Sequence, residues 1–297
     1  MGEDYCRTGS LAVGANHNGT GPPGDAMRGP LLTADVHAGL QAGRSAGAAT
    51  VECSLDLGRS VATVSLAQDH WSREGQRYPY LENCRERTIY HWTGEAFAPI
   101  ARFSTSLIKL VPTEWGPPTF EIDGIKMLPT ARVSPYEDAA AKVAMIEPRG
   151  KVVLDTCGGL GYFAAWCVQS GAARVVSFEK NPDVLWLRSL NPWSPPADGV
   201  LELALGDVAM AVQALPDASI DAILHDPPRF GIAGELYAQS FYDQLARVLK
   251  RRGRLFHYTG TPNKLTTGRD VPNEVARRLR AAGFITELRG DGVLARK

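Results

Sequence analysis

Residues Lys151–Lys180 read KVVLDTCGGLGYFAAWCVQSGAARVVSFEK, and the reading of this stretch decides the fold. It opens with a β-branched run, Val152 to Leu154, of the kind buried on both faces of a parallel sheet. The run ends in Asp155 and a turn holding Gly158, Gly159 and Gly161. An apolar helix is predicted from Tyr162 to Val168 and closed by Gly171; a second strand, Arg174 to Phe178, ends in Glu179. This is a βαβ unit with a tight loop at the carboxyl end of its first strand, where open α/β sheets bind ligands. Small residues there let a ligand approach the backbone, and the helix N-terminus offers free N–H groups. Glu179, closing the second strand, is placed to accept hydrogen bonds from a ribose diol. The stretch reads as the site of a nucleoside-containing cofactor.

Gly159-Leu160-Gly161-Tyr162-Phe163-Ala164 also matches the dinucleotide fingerprint G-x-G-x-x-A, with Glu179 near the expected distance downstream. Two features point elsewhere. A carboxylate at Asp155 would repel a pyrophosphate but suits the ammonium of a methionine moiety, and the chain carries Asp226-Pro227-Pro228 further on. Here it resembles the class I S-adenosylmethionine (SAM)-dependent methyltransferases, whose first motif is D-x-G-x-G-x-G after strand one. Cys157 stands where that family has its first glycine. The resemblance implies SAM as cofactor, with Asp155, Gly159 and Gly161 at its methionine end, Glu179 at the ribose and Asp207 at the adenine. Thr156, Cys157, Gly158 and Lys180 complete the implied cofactor-binding set.

Charged residues make up 22% of the 297-residue chain and balance to a formal zero. No block of Lys and Arg forms a nucleic-acid footprint; Lys250-Arg251-Arg252 is read as a helix end, where cations favour the dipole. Five cysteines without a C-x-x-C pair read as free thiols in a reducing compartment, and no metal site is expected. No apolar run reaches the roughly 18 residues of a membrane span, and no signal-peptide core is present. A cytoplasmic protein follows as the expectation.

Residues 1–50 are rich in Gly, Ala and small polar residues and read as a flexible extension, with a short helix around Leu32–Gly43 as an option. Residues 51–133 read as a small β-rich domain acting as a lid, with hairpins at Gly58-Arg59 and Asp123-Gly124. Its rings (Trp71, Tyr78, Tyr80, Tyr90, Trp92, Phe97, Phe103, Trp115) are read as core, one or two of them as caps on the sulfonium cation. Ser134-Pro135-Tyr136-Glu137 is a capping box that starts a helix to Ile146. Tyr136 is either a helix-start residue packed on the hairpin or a wall of the pocket. From residue 134 onward the pattern is α/β: Asn181-Pro182 opens a helix, Leu201–Leu205 is a strand, and Asp207 caps the helix after it. Ile220–Leu224 is strand four, Glu235–Lys250 a helix, Arg254–Tyr258 strand five, and Phe284–Arg296 a terminal hairpin. A terminal hairpin inserting a last antiparallel strand is typical of the class I methyltransferase sheet. The expected fold is therefore a Rossmann-like, seven-stranded α/β sheet over residues 134–297.

Strand four delivers His225-Asp226-Pro227-Pro228-Arg229-Phe230 to the same edge as the glycine loop. This resembles the D/N/S-P-P-aromatic motif of methyltransferases acting on exocyclic or amide nitrogen. By that resemblance Asp226 and Pro227 orient the nucleophile, and Arg229, Phe230 and Tyr258 line the substrate pocket. Arg229 stands where the motif has its aromatic, and His225 reads as a packed strand-end residue. The stretches EIDGIKMLPT, SPYEDAAAKV, LDTCGGLGY, HDPPRF and GRLFHYTG are similar to a family of archaeal predicted SAM-dependent methyltransferases. The order of parts is similar to spermidine synthases, which cleave SAM toward the three-carbon chain. Expected is a SAM-dependent transferase: methyl transfer to nitrogen of a small molecule, or release of methylthioadenosine by aminocarboxypropyl transfer or cyclisation of SAM to azetidine-2-carboxylate, or methylation of an RNA amino group. Tyr136, Asp226 and Pro227 are the catalytic expectations; a homodimer is compatible with all of them.

Overall fold

The computed structural model describes residues 29–229, 231, 233–260 and 270–297. It opens with β1 (Leu31–Leu32) and α1 (Ala34–Ser45), whose cap residue Thr33 accepts from the Val36 N–H. The optional helix is thus present, and regular structure starts about twenty residues before the expected boundary at 51. Leu40 of α1 is buried with Trp71 and Val64 in one core, which is why this stretch orders despite its small-residue composition.

Ten short strands follow: β2 (Thr50–Cys53), β3 (Ala62–Leu66), β4 (His70–Arg73), β5 (Gln76–Pro79), β6 (Tyr90–Trp92), β7 (Phe97–Pro99), β8 (Ala101–Phe103), β9 (Leu107–Val111), β10 (Thr119–Ile122) and β11 (Ile125–Lys126). With β1 they make three small sheets, ordered β1-β6-β7, β2-β3-β4-β5 and β11-β10-β9-β8. The β10–β11 turn has Asp123 and Gly124 at φ 49° and 78°, the left-handed pair a two-residue hairpin needs.

The second half contains α2 (Pro135–Ile146), β12 (Val152–Asp155), α3 (Tyr162–Gln169), β13 (Arg174–Glu179), α4 (Pro182–Leu190), β14 (Leu201–Leu205), α5 (Val208–Ala211), β15 (Ile220–His225), α6 (Gln239–Val248), β16 (Leu249–Tyr258), α7 (Val271–Ala281), β17 (Ile285–Arg289) and β18 (Gly292–Arg296). The sheet runs β14-β13-β12-β15-β16-β18-β17, parallel except for β18, which lies antiparallel between β16 and β17. This is the expected class I methyltransferase order, reversing direction between β12 and β15 and so placing a crevice at their carboxyl ends. Alternate residues feed the two faces. Val153 and Val175 pack toward α2 and α3; Leu154 and Val176 pack toward α6 and α7. One expectation fails: α6 stops at Val248, and Lys250-Arg251-Arg252 lie in β16. Leu249 already pairs with Ile220 across an irregular register, and Lys250 bonds Asp221 at 2.8 Å, so tertiary pairing overrides the helical composition.

The β-rich half is fastened to the sheet. Ile108, Leu110 and Phe120 share one core with Val143, Val153 and Phe163. Tyr162 donates to Pro118 O at 2.7 Å, Trp193 to Leu57 O at 3.0 Å, and Asp183 accepts from Ser104 at 2.6 Å. A shared core is more than a loose cover provides. No helix among the described residues is long and apolar enough to cross a membrane.

Candidate functional site

The glycine loop leaves β12 at Asp155 and enters α3 at Tyr162. Gly159 and Gly161 have φ 50° and 81°, where L side chains are strained. Gly158 is ordinary in φ but short of space: a Cβ there would run into Ser177 Oγ and lie 3.2 Å from Arg188 Nη1. A Cβ on Gly161 would lie 2.6 Å from Arg188 Nη2 and 2.7 Å from its Nε. Cys157 has no positive φ, which explains why a glycine is dispensable at that position.

Arg188 of α4 is therefore the floor of the loop. Its side chain is 3% exposed, and Nε and Nη2 have no hydrogen-bond partner among the described residues. Burial lowers its pKa to about 10, against the pull of Asp155 and Glu179. Asp155 is fully buried; one oxygen accepts from Ser177 Oγ at 2.8 Å, while Oδ1 has no donor among the described residues. Burial raises its pKa to about 6, with Ser177 and Arg188 opposing. Glu179 folds back onto the loop, accepting from the Gly159 N–H at 2.9 Å and the Asn181 N–H at 2.8 Å. Phe120, from β10, lies beside the loop: its Cε1 is 3.8 Å from where a Gly159 Cβ would stand.

Asp226 follows β15 at the adjoining strand end. Burial pushes its pKa up to about 7; Lys142 pulls it down, while Asp138, Asp155 and Asp291 push it further up. Lys142, on α2, is 2% exposed and bonds Asp138 at 2.7 Å, with Asp291 at 3.9 Å. Its Nζ stands 3.6 Å from the centroid of the Tyr258 ring. Asp291 comes from the β17–β18 turn, so four separate segments meet here.

Two buried histidines hold the strand ends that carry Asp226 and Tyr258. His225 Nε2 faces Leu236 O at 3.1 Å, and a carbonyl only accepts, so Nε2 carries the hydrogen. Its Nδ1 then accepts from the Thr156 hydroxyl at 2.7 Å, tying β15 to the glycine loop. By the same logic His257 Nδ1 donates to Tyr258 O at 2.8 Å and Nε2 accepts from the Tyr242 hydroxyl at 2.9 Å. The rings sit edge to face at 4.4 Å. Burial drives His225 well below the usual range and His257 to about 4, so both are neutral. His225 is packed, as its position suggested.

Other expectations distribute as follows. Asp207 caps α5 through the Ala209 N–H at 2.9 Å and pairs with Lys180 at 2.8 Å; Lys180 chiefly holds its carboxyl below the usual range. Pro227 is buried, and Tyr237 donates to Pro228 O at 3.1 Å, fixing the double-proline turn. Arg229 is exposed; Phe230 lies outside the described residues. Tyr136 packs among Tyr162, Trp166 and Trp193 at 5.0–5.4 Å, and Gln169 donates to its hydroxyl. The α2 residues whose charges reach Asp226 are Asp138 and Lys142. Sequence reasoning passed over Lys142, Arg188, Asp291, Phe120 and Tyr237. Two of these carried a signal: Lys142 as a lysine four residues after an aspartate in the apolar run AAAKVAMI, and Tyr237 in the segment Glu235-Leu236-Tyr237, whose spacing from Asp226-Pro227 is similar to that in spermidine synthases.

No family model matches the chain. It is 44% identical over 203 residues to the uncharacterized protein MJ1233 of Methanocaldococcus jannaschii, covering 68% of this chain and 69% of the relative. Over 134 residues it is 30% identical to polyamine aminopropyltransferase 2 of Streptomyces coelicolor, 42% of this chain but 24% of that protein. A spermidine synthase solved in complex with the transition-state analogue AdoDATO superposes with a TM-score of 0.54 at 19% identity, covering 76% of this chain and 83% of that one. The spermidine synthase of Thermotoga maritima gives 0.50 at 19% identity, covering 69% and 76%. The chain has the Rossmann-like fold of the spermidine synthases, and it belongs to the family of protein MJ1233.

Proposed function

We propose that the protein is a SAM-dependent transferase whose nucleophile is a nitrogen oriented at Asp226. The observation that carries this is the glycine cradle, too tight for any Cβ at Gly158 or Gly161, opening between two carboxylates at adjoining strand ends. The residues present fit SAM. Asp155 is closed off beneath the loop, so it would favour the cofactor's ammonium group through its charge and not by direct contact. Each Glu179 oxygen takes one backbone N–H and keeps a lone pair for a ribose hydroxyl. Asp207 stands at the third strand end for the adenine amino group. When bound, SAM supplies an electrophilic carbon on sulfur with its leaving group built in.

The chain's own work is then positioning and proton handling. Asp226, titrating near neutrality, accepts hydrogen bonds from an amine and takes its proton. The buried strand ends, tied by Thr156, His225 and His257, hold that carboxylate in one orientation, which is where most of the rate enhancement arises. Methyl transfer to a small-molecule nitrogen is the leading reading, carried by Asp226-Pro227-Pro228. A second reading, attack at the γ-carbon with release of methylthioadenosine, is supported by Arg229, an exposed cation where a stacking ring for a planar acceptor is wanted. SAM's own amine serves as nucleophile in the version that closes to azetidine-2-carboxylate. The experiment is incubation with SAM alone and with cell extract, followed by identification of the nucleoside. S-adenosylhomocysteine marks methyl transfer and methylthioadenosine the second reading; SAM left intact in both incubations removes the transferase reading altogether.

A further inference from the structure

We propose that Lys142 occupies, from within the chain, the place a substrate ammonium would take, and so acts as a specificity-determining residue that shuts polyamine acceptors out of the site. The inference rests on the reading of the site as a SAM-dependent transferase centre. Its basis is the surroundings of Nζ. Asp138 is bonded at 2.7 Å, Asp291 stands at 3.9 Å, and the Tyr258 ring lies beneath at 3.6 Å. Asp226 is the carboxylate whose charge acts most strongly on Lys142. Carboxylates around an aromatic face are the means by which proteins recognise an alkylammonium. Here the groups come from α2, the ends of β15 and β16, and the β17–β18 turn, and all converge on one side chain of the same molecule.

A plain core position does not call for this. Burying an ammonium is costly unless it is fully paired, and an apolar residue of the same length would pack without that cost. The lysine is nevertheless 2% exposed, among three carboxylates that are themselves half-buried, Asp138, Asp226 and Asp291. An external diamine or polyamine bringing its own ammonium to these aspartates would meet Lys142 at contact distance, with like charge and no room. The likeness to a polyamine aminopropyltransferase therefore does not extend to its acceptor.

Two experiments test this. Wild-type protein is incubated with SAM and putrescine, cadaverine or spermidine, and the expected result is no amine-dependent nucleoside release and no alkylated amine. Lys142→Ala opens a hole still lined by the aspartates and Tyr258. Its turnover of SAM in extract is expected to fall at least tenfold and to recover severalfold with millimolar ethylamine to butylamine, which also raise its Tm. Lys142→Met, which keeps the volume, is expected to show neither response. Amine-dependent product from the wild type, or a folded Lys142→Ala variant indifferent to alkylamines, overturns the proposal. Where Lys142→Ala does not fold, the wild-type polyamine assay decides. Calorimetric titration of the wild type with SAM separates the two levels: absence of SAM binding removes the transferase reading, while the alkylamine shift in Tm still reports on the ammonium place.

Discussion

Gly161→Ala tests the claim that a buried arginine sets the shape of the cofactor loop. Gly161 has φ +81°, and an alanine there pays roughly 1–2 kcal/mol for the left-handed conformation alone. Its Cβ would also sit 2.6 Å from Arg188 Nη2 and 2.7 Å from Nε. That guanidinium is 3% exposed under the loop, so it cannot swing out without leaving Asp155 and Glu179 uncompensated. Forcing a methyl group into such packing costs about 1–3 kcal/mol. The expected loss is thus about 2–5 kcal/mol, or roughly 4–20 °C in Tm at about 2–4 °C per kcal/mol. Gly124→Ala is the matched control: φ is +78° and nothing lies within 4 Å, so only the conformational part should appear. Denaturant unfolding of both, and of Gly161→Ala in an Arg188→Ala background, completes a double-mutant cycle. In that background the alanine should cost no more than it does at Gly124. Equal losses for Gly161→Ala and Gly124→Ala, or a cycle with no coupling, would refute the reasoning.

Three further outcomes are expected. Glu179→Ala should weaken SAM binding by about 1–3 kcal/mol, since it removes the acceptor for the ribose and frees two loop N–H groups; an unchanged calorimetric Kd removes Glu179 from the site. Asp226, with its pKa pushed to about 7 among Lys142, Asp138, Asp155 and Asp291, must shed a proton to meet a cation below that pH. SAM affinity should therefore weaken toward acid by up to about tenfold per unit below 7 and level off above, and in Asp226→Asn the onset of this slope should move down to about 6, where Asp155 titrates. His257 titrates near 4 when folded and near 6.5 when unfolded, so the unfolded chain takes up the proton first as pH falls. The stability of the wild type relative to His257→Gln should accordingly decline by about 3 kcal/mol from pH 6.5 to 4, read by urea unfolding at each pH; a flat difference means the imidazole is not held neutral.

What the sequence disclosed follows from how local each signal is. Asn181-Pro182, Ser134-Pro135 and Asp123-Gly124 specify their caps and turn within two residues, and the structure has each of them in place. Asp155, Glu179, Asp207 and Asp226 were legible because each ends or follows a strand, and parallel strands deliver their carboxyl ends to one edge. Lys250-Arg251-Arg252 misled because a basic cluster after an amphipathic run looks like a helix end, whereas pairing with β15 decides the matter. Arg188 and Asp291 were invisible for a different reason. In sequence they are an ordinary charged residue in a helix and an ordinary turn aspartate, and only the packing of α4 under the loop and of the last hairpin beside α2 gives them a role.

The two central carboxylates show how that packing divides the labour. Asp155 and Asp226 stand at the ends of adjoining strands of the same sheet, and the charge of Asp155 raises the pKa of Asp226. Two such acids in one crevice are tolerable only with cations nearby, and the fold supplies one to each: Arg188 from α4 for Asp155, Lys142 from α2 for Asp226. The assignments are not interchangeable. Arg188 meets Asp155 through the hydroxyl of Ser177, with Nη1 at 3.4 Å from Oγ, and all three side chains are closed off under the loop. That group shapes the cradle. Asp226 instead stays half-open at the end of a double-proline turn, facing an ammonium already engaged by Asp138. It alone of the pair keeps access to solvent, so it is the carboxylate a reacting nitrogen can reach, and Lys142 is the neighbour that nitrogen must share it with.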